Sequence, residues 1–163
     1  MLESADVHDG QESPKYVIDT TWFEENGLSF QDMGQDRMCD TCHAQIGTEI
    51  EDRVTTIDPE TKRVSFEFSK MPFGHDPVKT IHECCAKKRD YITPEMPTLE
   101  AIFRIFLASG NQPMPLEHVR EQLAEWCPGG GCQWLLVPID QLERVIIGDT
   151  YYGLRQHTDG MLD

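Results

Sequence analysis

From Leu99 the apolar residues fall into a helical stripe. Leu99, Ile102, Phe103, Phe106 and Leu107 stand at i, i+3, i+4, i+7 and i+8, the spacing of one helix face. Thr98 occupies the N-cap position of this predicted helix and Gly110 stops it. A second helix is expected after Pro115, with Leu116, Val119 and Leu123 on one face, Trp126 near its end and Gly129-Gly130-Gly131 breaking it. Pro138 opens a third short helix through Leu142 and Val145, and Tyr151-Tyr152-Gly153-Leu154 reads as a terminal strand. Upstream the period changes. Val54–Ile57 and Val64–Phe68 are β-prone runs, the second alternating, and Asp58-Pro59-Glu60-Thr61-Lys62 between them is a turn, so the pair predicts a hairpin. Met71–Pro77 reads as a loop. His82–Arg89 reads as a helix whose cations, Lys87, Lys88 and Arg89, suit its C-terminal end. Near the start, Tyr16-Val17-Ile18 is strand-like. Thr21 with Glu24 and Ser29 with Asp32 have capping spacing, and Trp22, Phe23, Leu28 and Phe30 are candidate anchors.

These elements predict an α+β chain. Residues 1–15 hold Asp6, Asp9, Gly10, Glu12 and Pro14 with almost nothing to bury, and read as a flexible acidic tail. Residues 16–92 form an N-terminal segment and a small unit built on the hairpin. Thr93-Pro94-Glu95-Met96-Pro97 reads as a linker, and residues 98–157 form a helical unit. No internal repeat is present.

Charge narrows the set of partners. The chain carries a net −15, and residues 1–38, 39–92 and 93–163 contribute −7, −2 and −6. No segment is net basic, which disfavours a tight, sequence-independent nucleic-acid binder. No apolar run reaches the length of a membrane span. The acidic opening Met1-Leu2-Glu3-Ser4-Ala5-Asp6 lacks the basic and apolar regions of a secretory signal. The expectation is a soluble cytoplasmic protein.

In such a compartment six cysteines point to metal ligands or buried thiols rather than a disulfide framework. Cys39-x2-Cys42 and His82-x2-Cys85 form two pairs. On a helical first turn His82 and Cys85, at i and i+3, share a face. Together Cys39, Cys42, His82 and Cys85 make a Cys3His shell for one structural zinc. A redox pair at Cys39 and Cys42 is the alternative. Cys84, about 100° round the helix from Cys85, reads as a buried thiol. His43 and His75 compete with His82 for the fourth position. Cys127 and Cys132 bracket a Pro-Gly-Gly-Gly loop and either complete a second site or flank a turn.

The order of ligand pair, hairpin and ligand-bearing helix over residues 39–92 resembles the treble-clef class of zinc fingers. That resemblance implies Cys39 and Cys42 as knuckle ligands and His82 and Cys85 as helix ligands. His43 stands where such fingers commonly have a glycine. Residues 98–157, with three helices and a terminal strand, resemble a winged helix. The third helix offers Asp140, Gln141, Glu143 and Arg144, a poor phosphate surface, so the winged-helix-like unit is expected to dock protein.

The chain lacks the Walker, dinucleotide-binding, zinc-protease and nucleophile-elbow motifs. The functional expectation is therefore a zinc-stabilised adaptor or regulatory protein that binds a macromolecular partner, in a transcription-associated role. A sequence-specific DNA-binding regulator using Lys87, Lys88 and Arg89 is the first alternative. A zinc-dependent or thiol enzyme, with Glu83 as candidate base, is the second.

Overall fold

The computed structural model describes residues 13–158; most of the expected acidic tail, residues 1–12, lies outside them. The chain is mixed α+β, as the periodicities predict. Strand β1 (Lys15–Ile18) leads into helices α1 (Thr20–Glu25), α2 (Phe30–Gln35) and α3 (Asp40–Ala44). Strands β2 (Glu49–Ile57) and β3 (Val64–Pro72) form the hairpin, followed by α4 (Pro77–Glu83) and a 3-10 turn at Cys85–Lys87. The remainder is α5 (Thr98–Ala108), β4 (Met114–Pro115), α6 (Leu116–Glu125), a 3-10 turn at Gln133–Leu135, α7 (Ile139–Ile147) and β5 (Leu154–Gln156). No helix among the described residues is long and apolar enough to cross a membrane.

The core forms around α5. Its predicted stripe is buried, with Ile102, Phe103, Phe106 and Leu107 closed to solvent. Leu116, Val119 and Leu123 of α6, Trp134, Leu142 and Ile146 pack into the same cluster. So do Ile81 of α4 and Phe23 of α1. A three-stranded antiparallel sheet in the order β4-β1-β5 lies beside the helices. Its central strand is β1, which pairs Tyr16 with Met114 and Ile18 with Leu154. Asn111, held at φ 56°, completes this sheet from outside. Its side-chain oxygen accepts from the Ile18 N–H at 2.9 Å and its amide donates to the Ile18 carbonyl at 3.0 Å.

The terminal strand begins three residues later than its apolar run suggests, and Asp149 is the reason. This carboxylate is buried and accepts from the backbone N–H groups of Tyr151, Tyr152 and Leu154 at 2.9–3.1 Å. It therefore folds Tyr151 and Tyr152 into a turn that releases the chain as β5. Gly153 closes the turn at φ 70°, where a Cβ would stand 2.6 Å from the Phe23 ring. Its carbonyl accepts from the Asp19 N–H at 2.8 Å. Only glycine combines that backbone conformation with that approach.

Three contacts set the position of the cysteine-bearing segments. Gly34 on α2 meets Pro77 at the start of α4, where a Cβ would lie 2.7 Å from the proline ring. Arg37, just before Cys39, grips Glu100 of α5 with two hydrogen bonds of 2.8 Å and stacks over Phe103 at 4.9 Å. The same carboxylate accepts from Arg104 at 2.8 Å and from the Tyr152 hydroxyl at 2.9 Å. Burial pushes Glu100 toward the neutral acid, but the Arg37 and Arg104 guanidiniums outweigh it and hold the group below its usual range.

Replacing Asp149 by alanine strands buried amide donors, so Asp149→Ala is expected to lower the unfolding free energy by about 2–4 kcal/mol. Asp149→Asn, which keeps one acceptor oxygen, is expected to cost roughly half as much. Urea denaturation of the two variants beside the parent checks both values.

Candidate metal centre

Four thiols meet where α3 and the end of α4 come together. Cys39, Cys42, Cys84 and Cys85 place their sulfurs within 4.8 Å of one another. Cys39 is the N-cap residue of α3 and Cys42 lies in its single turn, so the x2 spacing turns both sulfurs to one side. The second pair arises from a break. Asp76 caps α4, its side chain accepting from the Lys79 N–H, and Pro77 occupies the first turn. The helix therefore starts at 77 and has run its course by Glu83. Cys84 leaves the helical region at φ −131°, ψ −65°, and Cys85 begins the 3-10 turn. With the helix interrupted between them, neighbouring residues no longer diverge by the helical step, and both sulfurs face Cys39 and Cys42.

This arrangement replaces one of the expected ligands. His82, expected in a first helical turn, sits instead in the last turn of α4, exposed to solvent. Its Nδ1–H donates to the carbonyl of Ala108 at the end of α5, at 2.6 Å. Cys84, expected as a bystander thiol, stands in the cluster. The ligand-bearing segment also lies at the C-terminal end of its helix, not in the first turn that the treble-clef resemblance implies. Neither competing histidine joins the group. His43 is exposed on α3, and His75 pairs through Nε2 with Asp52 at 2.8 Å. Asp52 also accepts from the Lys79 ammonium at 2.6 Å; hydrogen bonds from Lys79 and His75 hold its carboxyl well below the usual range.

Cys42 and Cys85 are buried, while Cys39 and Cys84 are half-buried. Burial raises the Cys42 and Cys85 thiols. Burial also pushes Cys39 up, but the Cys42 backbone N–H and the neighbouring thiols donate to its sulfur and bring it below its ordinary value. The Cys39 N–H donates to Cys85 Sγ at 3.1 Å, an outer hydrogen bond of the kind that fixes a thiolate in place. A cleft of about 150 Å³ opens beside the cluster, lined by Arg37, Lys88 and Arg104 together with Cys39, Cys85 and Tyr91. Asp40 and Asp90 line the same cleft, and Arg37 and Arg104 already share Glu100, so these three cations are matched by three carboxylates.

The donor set fits a metal. Zinc–sulfur bonds of about 2.3 Å in a tetrahedron need sulfurs about 3.8 Å apart, which sulfurs all lying within 4.8 Å of one another can meet. Four soft thiolates select zinc or iron over hard cations. The cluster can hold one such ion and is compatible with zinc.

The remaining cysteines correct another expectation. Cys127 and Cys132 are joined by a disulfide across the Pro-Gly-Gly-Gly loop, with Cα atoms 6.2 Å apart. They supply no thiols to a second metal site. The loop's three consecutive glycines let a five-residue separation close on itself.

The geometry separates the two ligand sets experimentally. Cys84→Ser is expected to reduce bound metal as severely as Cys42→Ser, and His82→Ala to leave it unchanged. Elemental analysis of the three variants, purified without chelator, checks this. Comparison with known proteins finds no family model, no curated protein and no solved structure that matches the chain.

Proposed function

We propose that the chain is a zinc-stabilised adaptor or regulatory protein, acting through a macromolecular partner in a transcription-associated role. In this reading residues 39–92 are a finger-like unit organised by one structural zinc, and residues 98–157 are a winged-helix-like docking unit. The observation that carries it is the convergence of four thiols, two of them buried, from segments on either side of the hairpin. Four thiolates fill a tetrahedral shell and leave no position for a water or substrate, which is the signature of a structural rather than a catalytic ion. An enzyme using this centre would need one of those positions open.

The surroundings support the same role. The thiol-bearing segments are tied to α5, the most buried helix, by Arg37 to Glu100 and by His82 to Ala108. A metal at this junction would hold the hairpin-bearing unit against the helical one. Because metal binding supplies folding free energy where the site is absent in the unfolded chain, chelation is expected to loosen this junction. X-ray absorption on the zinc-loaded protein is expected to fit four sulfurs at ~2.3 Å and no light atom. A water oxygen in the shell, displaced by a small anion, would overturn the structural assignment.

The runner-up, a sequence-specific DNA-binding regulator, draws on Lys87, Lys88 and Arg89, all exposed beside the cluster. The net −15 weighs against it. Titration with random duplex at physiological salt is expected to show no binding in the ~10⁻⁴–10⁻⁶ M range of basic non-specific binders. Micromolar binding, lost on neutralising those three residues, would favour the regulator.

A further inference from the structure

Among the described residues, the hairpin has no neighbouring element over most of its length. Its strands run nine residues each, about 30 Å, and are anchored at the base. There Asp52 meets His75 and Lys79, and Gly47 and Thr48 exchange backbone hydrogen bonds with Phe73. Outward from Arg53 and Phe68, the hydrogen bonds among the described residues stay inside the hairpin. Thr56 bonds to Ser65 at 2.7 Å, and Asp58 accepts from the N–H groups of the turn.

The register sorts the side chains. Ile57 lies opposite Val64, Thr55 opposite Phe66 and Arg53 opposite Phe68, and directly opposed residues share a face. One face of the arm therefore carries Ile57, Val64, Phe66 and Phe68, which are 63%, 55%, 58% and 72% exposed. Arg53 lies over the Phe66 ring at 4.7 Å. The opposite face carries Val54, Thr56, Ser65 and Glu67. A lone two-stranded hairpin is marginal in water, and a contiguous exposed apolar patch marks an interaction site.

We propose that this face is a homodimer interface, covered by the same face of a second copy of the chain. Charge on this face permits that occupant. Copies carrying −15 repel over most of their surface. On this face, however, Glu49 and Glu51 are offset by Lys70 and Arg53, with Lys70 and Glu49 3.6 Å apart. The face is thus neutral, which suits a like copy and gives a phosphate backbone nothing to neutralise.

Area agrees. The four apolar side chains expose on the order of 450 Å² per copy, and two copies with their flanking residues would bury roughly 1,000–1,200 Å², the size of a weak, reversible interface rather than a permanent one. Geometry agrees as well. Phe66 lies midway along the face, so antiparallel arms about a two-fold axis set Phe66 near its counterpart. They also lay Ile57 and Val64 of one arm over Phe68 of the other. Each arm then supplies the layer that the other lacks. The proposal does not depend on the metal at the cysteine cluster.

Sedimentation equilibrium on the full chain as purified tests it. The parent is expected to sediment with the mass of two chains at ~50 µM, and Phe66→Glu/Phe68→Glu to shift it to the 18.7 kDa of one chain. The association should weaken by at least about 30-fold. Both phenylalanines point to solvent in one copy, so the variant should keep the parent's metal content and circular dichroism. Hydrogen exchange on the unmutated chain gives a reading that needs no substitution: amides of residues 53–57 and 64–68 should exchange more slowly at high than at low concentration. A parent of 18.7 kDa up to ~100 µM, concentration-independent exchange in the arm, or a dimer indifferent to the double substitution would each overturn the proposal. Metal content measured on the same samples reports separately on the zinc reading.

Discussion

The carboxylate of Glu100 is the point on which the arrangement turns. Arg37 and Arg104 donate to it, as does the Tyr152 hydroxyl. One side chain on α5 thereby fixes the approach to Cys39, the adjacent turn of its own helix and the loop that launches β5. A partly buried ion pair adds little net stability over well-packed apolar groups, but losing one partner leaves a poorly solvated charge at the edge of the core. Its value here lies in geometry. The bidentate grip holds the segment leading into Cys39 in a fixed orientation against α5.

The stripe of α5 and the alternation of the hairpin were legible because each has a period that a single face must satisfy. Three of the four clustered thiols were legible from spacing alone. The fourth was not, because the decisive residues lie upstream of the ligands. Asp76-Pro77 is a cap followed by a first-turn proline, and it places the helix start at 77. Counted from there, His82 falls in the last turn and Cys84 at the exit, so the i, i+3 argument for His82 and Cys85 begins from the wrong origin. β1 was legible as a strand and a terminal strand was legible too, though it starts at Leu154 rather than Tyr151; the two-residue strand at 114–115 and the pairing of all three were not, being too short for a pattern.

The cysteine positions also divide the chain by mechanical role. The segment from Cys42 to Cys84 is pinned at both ends by the cluster and contains the hairpin. The arm can lengthen or turn outward without disturbing the core, because its ends are held by side chains that do not belong to it. Loop length between fixed ends costs little conformational entropy. The arm's phenylalanines and isoleucine lie outside this chain's own core, and in the proposed dimer the second copy supplies the layer that covers them.

The separation of Cys127 and Cys132 from the other four thiols has a consequence for how the chain matures. Six cysteines can pair in 15 ways, and all but a few join segments that the native fold keeps apart. Were an ion to gather Cys39, Cys42, Cys84 and Cys85, those sulfurs would be less available for exchange, leaving one favoured pairing, across a five-residue loop that brings its own ends together. A metal seated early would thus act as a protecting group in the chemist's sense. It would mask four thiols while an external thiol oxidant takes two electrons and two protons from Cys127 and Cys132, so that the correct bridge forms by elimination rather than by trial.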